Sequence, residues 1–430
     1  MLFPLLLALA MPARAAAVAP SPAAVPIVAA RPATPAPVPD SVRPPHGGGE
    51  PRHALASSAE AGLGLEGLLR AEAAVADEVA RGTLPGAALA IGRRGHIVVE
   101  RGIGRTDWGA AAQQVDPDRT VYDLASLTKV VATTTALMLL VEDGEIDLHA
   151  PVARYLPEFS GGRKDEVTVW HLLTHTSGLP AWADLWGDPE QALARAVRTP
   201  LARAPGAHAE YSDVGFVVLW AAAQRAHGAE PLYRLLDRRV FGPLGMLATT
   251  FLPGSCGVCA PTARRSDGGD LRGRVHDPTA LRLGGVAGNA GLFSTVHDVA
   301  RFAAMLASGG ELNGTRVLRA ETIHAFAQRQ PGCGTRALGW DTPSGRASGS
   351  AGVRISPRAF GHTGFTGTSL WVDPERGTWA VLLANRTYSS ERSGPIQALR
   401  RTLNDWVAVA ADRGAPRPAP GVEHVGEGEG

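Results

Sequence analysis

The sequence predicts an α+β fold: an antiparallel sheet flanked by helices, with an all-helical portion inserted into it. Two observations carry this. Strand patterns stand near both ends of the chain, and the long stretch between them has helical periodicity broken by glycine-rich loops. Near the start, residues 86–92 and 96–101 are strand-like and are joined by Arg93-Arg94-Gly95, a hairpin signature. Near the end, residues 369–373 and 378–384 repeat the pattern around a turn that contains Pro374 and Gly377. A cleft is expected where the sheet meets the helical portion.

In chain order, residues 1–15 read as a signal peptide. Leu2 to Ala10 is largely apolar, and Ala13-Arg14-Ala15 is a small-x-small cleavage site, although no Lys or Arg precedes the apolar run. Export to the periplasm or the medium is the expectation. Residues 16–58, dense in Ala and Pro, read as an extended linker. Residues 59–410 read as the folded domain, and 411–430, rich in Gly, Pro and Glu, as a disordered tail. Helices are expected over 65–79, 167–175, 189–198, 214–227, 231–241, 295–306, 320–328 and 395–409. Gly62, Gly64 and Gly67 spell G-x-G-x-x-G, but no strand precedes them, so a nucleotide site is not expected. His171 and His175 lie four apart, yet Leu172 stands where a zincin carries glutamate. They read as core or loop-bracing histidines, and no metal or cofactor is expected.

A formal net charge of +1 gives no electrostatic reason to invoke nucleic acid or an anionic membrane. After the first residues no apolar run reaches the ~20 residues that a bilayer span needs. Cys256, Cys259 and Cys333 include one C-x-x-C. Zinc would want a second pair, and a thioredoxin-like motif a βαβ setting. One disulfide with one thiol left over is the reading that suits an exported chain.

The chemistry centres on Ser126 and Lys129. Residues 130–141 are apolar or Thr throughout, enough for about three helical turns, and Gly144 suits the position just past the end. A helix apolar on nearly every side is buried. Three residues apart on its first turn, a serine hydroxyl and a lysine amine can meet. Burial disfavours the charged amine, so Lys129 is expected to be a proton acceptor that activates Ser126. A structural helix start would show the same spacing, but composition separates the two. Of 42 basic residues only Lys129 and Lys164 are lysine. A position that keeps lysine against that bias needs an amine that can lose its proton, which arginine cannot do.

Two further stretches stand out. Tyr211-Ser212-Asp213 precedes an apolar helix, and tyrosine is scarce, with five in the chain. A buried tyrosine beside a lysine can act as a general base. The stretch from Gly361 to Gly367, which includes His362, Thr363, Gly364 and Phe365, runs into the apolar strand at 369. Glycines there let a substrate approach the backbone and expose N–H donors of the kind that bind an oxyanion.

Taken in order, Ser126-x-x-Lys129, Tyr211-x-Asp213 and His362-Thr363-Gly364 resemble the motifs of the penicillin-recognising serine hydrolases. The likeness is to the class C β-lactamases, D-Ala-D-Ala carboxypeptidases, D-aminopeptidases and β-lactamase-like esterases. It covers roughly 84–409, including the stretch 172–180 and the loop 285–294. It implies a β-lactamase/transpeptidase-like fold and a serine acyl hydrolase acting on esters or D-amino-acid peptides. It further implies Ser126 as the acylated nucleophile, Lys129 as its proton partner and Tyr211 as general base. Backbone N–H groups of Ser126 and Phe365 would bind the oxyanion, with Asp213, His362, Thr363 and Gly364 lining the substrate cleft. Two departures matter. Asp213 stands where many members have Asn, and His362 where many β-lactamases have Lys. A neutral His362 would leave the site without a fixed cation, favouring uncharged esters over penicillins, unless Asp213 held its proton. Alternatives are a class C type β-lactamase and a non-hydrolytic penicillin-binding sensor. A Ser-His-Asp α/β-hydrolase is excluded for want of G-x-S-x-G. The oligomeric state is left open.

Overall fold

The computed structural model describes residues 55–346, 349–388 and 394–414. All of them belong to one compact unit; the expected signal peptide and most of the linker lie outside the described residues. Helix α1 (Leu65–Ala80) leads into the hairpin β1 (Gly86–Arg93) and β2 (His96–Gly104). Short β3 (Tyr122–Asp123) precedes the Ser126 turn and helix α2 (Thr135–Glu142). The helical portion follows: α3 (Val169–Leu173), α4 (Pro189–Arg198), α5 (Asp213–His227) and α6 (Leu232–Leu236). After β4 (Thr250–Phe251) come α7 (Pro278–Arg282), β5 (Leu292–Ser294), α8 (Val296–Ala307), the small hairpin β6 (Glu311–Leu312) and β7 (Thr315–Arg316), and α9 (Ala320–Ala327). The chain returns to the sheet with β8 (Phe360–Thr363), β9 (Ser369–Asp373) and β10 (Thr378–Ala384), and closes with α10 (Gly394–Gly414).

The main sheet has the order β2-β1-β10-β9-β8, and its four neighbouring pairs are all antiparallel. Its two hairpins come from opposite ends of the sequence, and β1 meets β10 with Ala87 opposite Ala384 and Arg93 opposite Thr378. Both faces are covered. Leu89, Ile91 and Leu382 face α1 and α10, while Ala88, Ala90 and Val381 face the larger core shared with α2, α5 and α8. That double burial is why β10 is apolar from Trp379 to Ala384 rather than alternating. Gly67 lets α1 sit directly on α10, since a Cβ there would lie 2.7 Å from that of Ala410. This packing accounts for a glycine that belongs to no nucleotide loop.

Three differences from the expected elements have clear causes. The Ser126 segment is not one regular α-helix: Ala125–Leu127 is a 3₁₀ turn and Lys129–Thr134 a π-helical stretch before α2 begins. Thr134 and Thr135 donate their hydroxyls to the carbonyls of Lys129 and Val130, which supports the widened turns. The expected helix 231–241 splits into α6 and a second π-helical stretch, Asp237–Phe241. Helix α10 continues to Gly414, past the expected end at 409, because Ala410 and Ala411 are buried against α1. The span Ala125–Glu142 has the length and hydropathy of a membrane helix, but 83% of it is buried inside the fold. It is the central core helix, as a segment apolar on every side must be. Cys256 and Cys259 form the disulfide, and Cys333 is the buried free thiol.

Candidate active site

The backbone at Ser126 is built before the side chain is placed. Ala125 has a left-handed φ of 47°, a costly conformation for a residue with a Cβ. The buried Asp123 carboxylate holds it by accepting the Ala125 N–H at 2.9 Å, and its other oxygen accepts the His276 N–H at 2.7 Å. From the sheet side, the hydroxyls of Thr366 and Thr368 donate to the carbonyls of Asp123 and Leu124 at 2.8 and 2.9 Å. Gly364 is needed for this contact, since a Cβ there would lie 2.4 Å from the Leu124 carbonyl oxygen. The turn after β8 is thereby fastened to the serine turn.

Lys129 is fully buried and its three ammonium donors are all committed. Nζ donates to Ser126 Oγ at 3.0 Å, to Asp213 Oδ1 at 2.6 Å and to the Asn289 carbonyl at 3.0 Å. Asn289 is set by its own amide donating to Asp277 at 2.9 Å, and its loop is pinned by Thr133 donating to the Gly288 carbonyl at 2.7 Å. Tyr211 and Asp213 flank Ser212, which caps α5 by accepting the Gly215 N–H. Asp213 therefore occupies the first position of α5, where the helix end suits a carboxylate. Lys129 Nζ lies 4.7 Å from the Tyr211 ring centre.

The protonation of this group differs from the expectation that burial alone frees the amine. Burial does pull the Lys129 pKa down, but the Asp213 carboxylate and the Tyr211 oxygen outweigh it and push it up to about 12. Lys129 is a cation at rest. Burial raises the Tyr211 pKa above its ordinary value, with Asp213 adding to this and Lys129 and Ser126 opposing it. Asp213 serves Lys129 and not His362, which corrects the pairing considered for the histidine.

His362 lies on β8, the sheet edge, with its ring 6.0 Å from that of Tyr211. Nδ1 lies 2.8 Å from the Thr363 carbonyl, which can only accept, so Nδ1 carries the hydrogen. Burial, then the cations Lys129 and Arg336, pull its pKa down to about 3. The unfolded chain takes up that proton near 6.5 and the folded one near 3. Stability owed to the neutral ring is thus present above pH 6.5 and lost as the pH falls. Between pH 6.5 and 5, wild type is expected to lose roughly 1–2 kcal/mol more unfolding free energy than His362→Gln in urea titrations. Parallel pH curves for the two proteins would show that His362 is not held neutral.

The eight residues singled out in the sequence all come together here: Ser126, Lys129, Tyr211 and Asp213 on the helical side, His362, Thr363, Gly364 and Phe365 on the sheet side. Phe365 is half exposed, its ring between His276 at 5.7 Å and the Arg386 guanidinium at 4.6 Å. Four supporting residues were not legible beforehand: Asp123, Asn289, Arg336 and Arg400. His175 was read only as bracing, and it does brace. Its Nδ1 accepts the Ser212 N–H at 3.1 Å and its ring lies 4.6 Å from that of Tyr211. Arg400 is buried and donates to the carbonyls of Gly364 and Thr368 at 2.8 and 2.7 Å. Arg336 has its guanidinium carbon 5.3 Å from the Tyr211 ring centre, so the cleft does have a cation besides Lys129.

The Beta-lactamase family model matches residues 71–403. A protein of Salmonella agona (strain SL483) named "Putative D-alanyl-D-alanine carboxypeptidase" is 31% identical over 379 residues, covering 78% of this chain and 86% of its own length. A beta-lactamase structure from Mycobacterium bovis is 25% identical with a TM-score of 0.54, over 78% of this chain and 99% of that one. EstCE1, described as a hydrolase with promiscuous acyltransferase activity, shares the fold with a TM-score of 0.64 at 21% identity, over 79% of this chain and 98% of that one. The family match runs from within α1 into α10 and so spans the whole sheet and the inserted helices. On that match and that relative, this chain belongs to the beta-lactamase family of serine hydrolases and has its β-lactamase/transpeptidase-like fold.

Proposed function

We propose that the chain is a serine acyl hydrolase that works through an acyl-enzyme on Ser126 and acts on esters or D-amino-acid peptides. The observation that carries this reading is the Lys129 ammonium bridging Ser126 Oγ and Asp213 Oδ1 at 3.0 and 2.6 Å. Ser126 Oγ attacks the substrate carbonyl carbon, and its proton passes into the group formed by Lys129, Tyr211 and Asp213. At rest that group holds one cation, one anion and a neutral phenol, so taking up the proton makes it positive beside the developing oxyanion. Tyr211 then gives a proton to the leaving group as its bond to the acyl carbon breaks. Water then attacks the acyl carbon and gives a proton to the same group, which returns it to Ser126 Oγ as the acyl–Oγ bond breaks and the acid leaves.

The N–H groups of Ser126 and Phe365 are the proposed oxyanion donors. In a trans peptide the N–H points opposite to the C=O. Arg400 holds the Gly364 carbonyl, so the Phe365 N–H faces away from Arg400. Thr363 and His362 form the sheet-side wall against which substrate lies. The export expected from residues 1–15 belongs to the same proposal, and the Cys256–Cys259 disulfide suits an oxidising compartment.

Treatment of the purified protein with a fluorophosphonate is expected to place one covalent adduct on the peptide containing Ser126, read by tandem mass spectrometry. Label on another serine with Ser126 unmodified would remove the assignment, and stable acylation without turnover of any acyl substrate would favour a sensor instead.

A further inference from the structure

We infer that Glu100, Asp118 and His297 form a binding site for a divalent first-row transition metal such as Zn²⁺, which clasps the fold behind the serine turn. The inference does not depend on the acyl-hydrolase reading above. The three donors come from three parts of the fold: Glu100 from β2, Asp118 from the loop before β3, and His297 from the first turn of α8. Their donor atoms all lie within 4.8 Å of one another. His297 Nδ1 is 3.0 Å from Glu100 Oε1 and 3.4 Å from Asp118 Oδ1. An ion that holds nitrogen and oxygen at about 2.0–2.1 Å sets neighbouring donors roughly 3–3.4 Å apart, so two edges of a coordination shell are already in place. Asp118 is 54% exposed, which gives its side chain room to close the third edge and leaves one face open to water.

Donor chemistry and charge select the ion. Ca²⁺ and Mg²⁺ prefer shells made of oxygen, whereas one imidazole with two carboxylates suits zinc and its first-row neighbours. Two carboxylates and a neutral imidazole carry two negative charges, which a divalent ion cancels. Among the described residues the Glu100 carboxylate has His297 as its ion-pair partner and no arginine or lysine. Arg301, one turn further along α8, donates its Nε–H to the Leu244 carbonyl instead. The backbone keeps the donors in place. Glu100 stands opposite Ala90 in the β1–β2 ladder. The turn at 116–120 is closed by the Thr120 N–H donating to the Asp116 carbonyl at 2.8 Å and the Asp118 N–H to the Asp116 carboxylate at 2.9 Å. The His297 N–H donates to the Pro117 carbonyl at 3.3 Å, which joins that turn to α8. Tyr122 pairs with Ser294 where β3 begins and β5 ends, so the loop and the helix leave the same end of the two strands. At the other end the Leu124 N–H donates to the Leu292 carbonyl at 2.9 Å, beside the serine turn. An ion bound here ties β2 to the strand pair that supports Ser126. It does so from the sheet edge opposite β8, outside the cleft. No sequence pattern marks the site, because Glu100 and His297 stand 197 residues apart.

The test uses the full chain, treated with EDTA, separated from the chelator and titrated with ZnCl₂ by isothermal titration calorimetry. Binding is expected with a Kd on the order of 1 µM or tighter. The Tm is expected to rise by about 3–6 °C at a hundredfold excess of Zn²⁺ over Kd. Ca²⁺ or Mg²⁺ at about 1 mM is expected to leave the Tm unchanged. The chain has 13 histidines, so binding alone does not place the ion, and variants do. His297→Gln and Asp118→Asn are each expected to weaken Zn²⁺ binding by at least about tenfold and to lose the rise in Tm. Asp118 is the exposed member, so Asp118→Asn decides the matter should His297→Gln fail to fold. Absence of Zn²⁺ binding by wild type, or an unchanged affinity in Asp118→Asn, overturns the site. The short contacts would then be those of a protonated His297 bridging two carboxylates. An equal rise in Tm with Ca²⁺ overturns the assignment to a transition metal.

Discussion

Lys129→Arg is expected to lower kcat/KM for acyl transfer on the order of 10⁴-fold or more, by analogy with removal of a nucleophile's proton partner. The charge is kept and the change follows the chain's own bias towards arginine, so a loss would not come from electrostatics alone. Lys129 sits in a fully buried site closed by three acceptors, Ser126 Oγ, Asp213 Oδ1 and the Asn289 carbonyl, all within 3.0 Å. A planar fork cannot meet all three from one nitrogen, and its larger head would push against the rings of Tyr211 and Phe216, now 4.7 and 5.7 Å from Nζ. Arginine also cannot pass a proton between Ser126 and Asp213. The check is steady-state kinetics on a variant whose circular dichroism and melting match wild type. Activity within tenfold of wild type would make Lys129 a structural residue only.

Tyr211→Phe comes next in size, with an expected loss on the order of 10³-fold, in the range typical of a general acid or base. This variant separates chemistry from packing. The ring would keep its contacts with His175 at 4.6 Å and with the Arg336 guanidinium at 5.3 Å, while the single oxygen is removed. The loss should be greatest for poor leaving groups, which need protonation, and smallest for p-nitrophenolate, which does not. An equal loss for both leaving groups, or none, would take the acid role away from Tyr211.

What the sequence determined by itself is what short range controls. Ser126 and Lys129 are three residues apart, so a helical turn is enough to bring them together, and the apolar run after them is enough to bury them. The two hairpins were readable because turns sit between strand patterns, one pair near each end of the chain with helical periodicity between them. The three motifs also carried the family, because each is a compact stretch whose residues stay together in any fold that contains it.

Tertiary structure decided the sign of the central proton equilibrium. Burial, which sequence shows, pulls Lys129 towards neutrality. Asp213, 84 residues away in the chain, pulls it the other way and prevails, leaving an ammonium with a pKa of about 12. Asn289 and Arg336 reach the same spot from further along, by a backbone carbonyl and by a bridge to the edge of β8, and neither mode of contact leaves a pattern of residue types. The strained Ala125 was equally hidden, since alanine ordinarily avoids a left-handed φ and accepts it here only because Asp123 and the β8–β9 turn hold it there. Charge states and strain depend on which distant groups are brought within a few ångströms, and that is settled only when the sheet and the inserted helices close on each other.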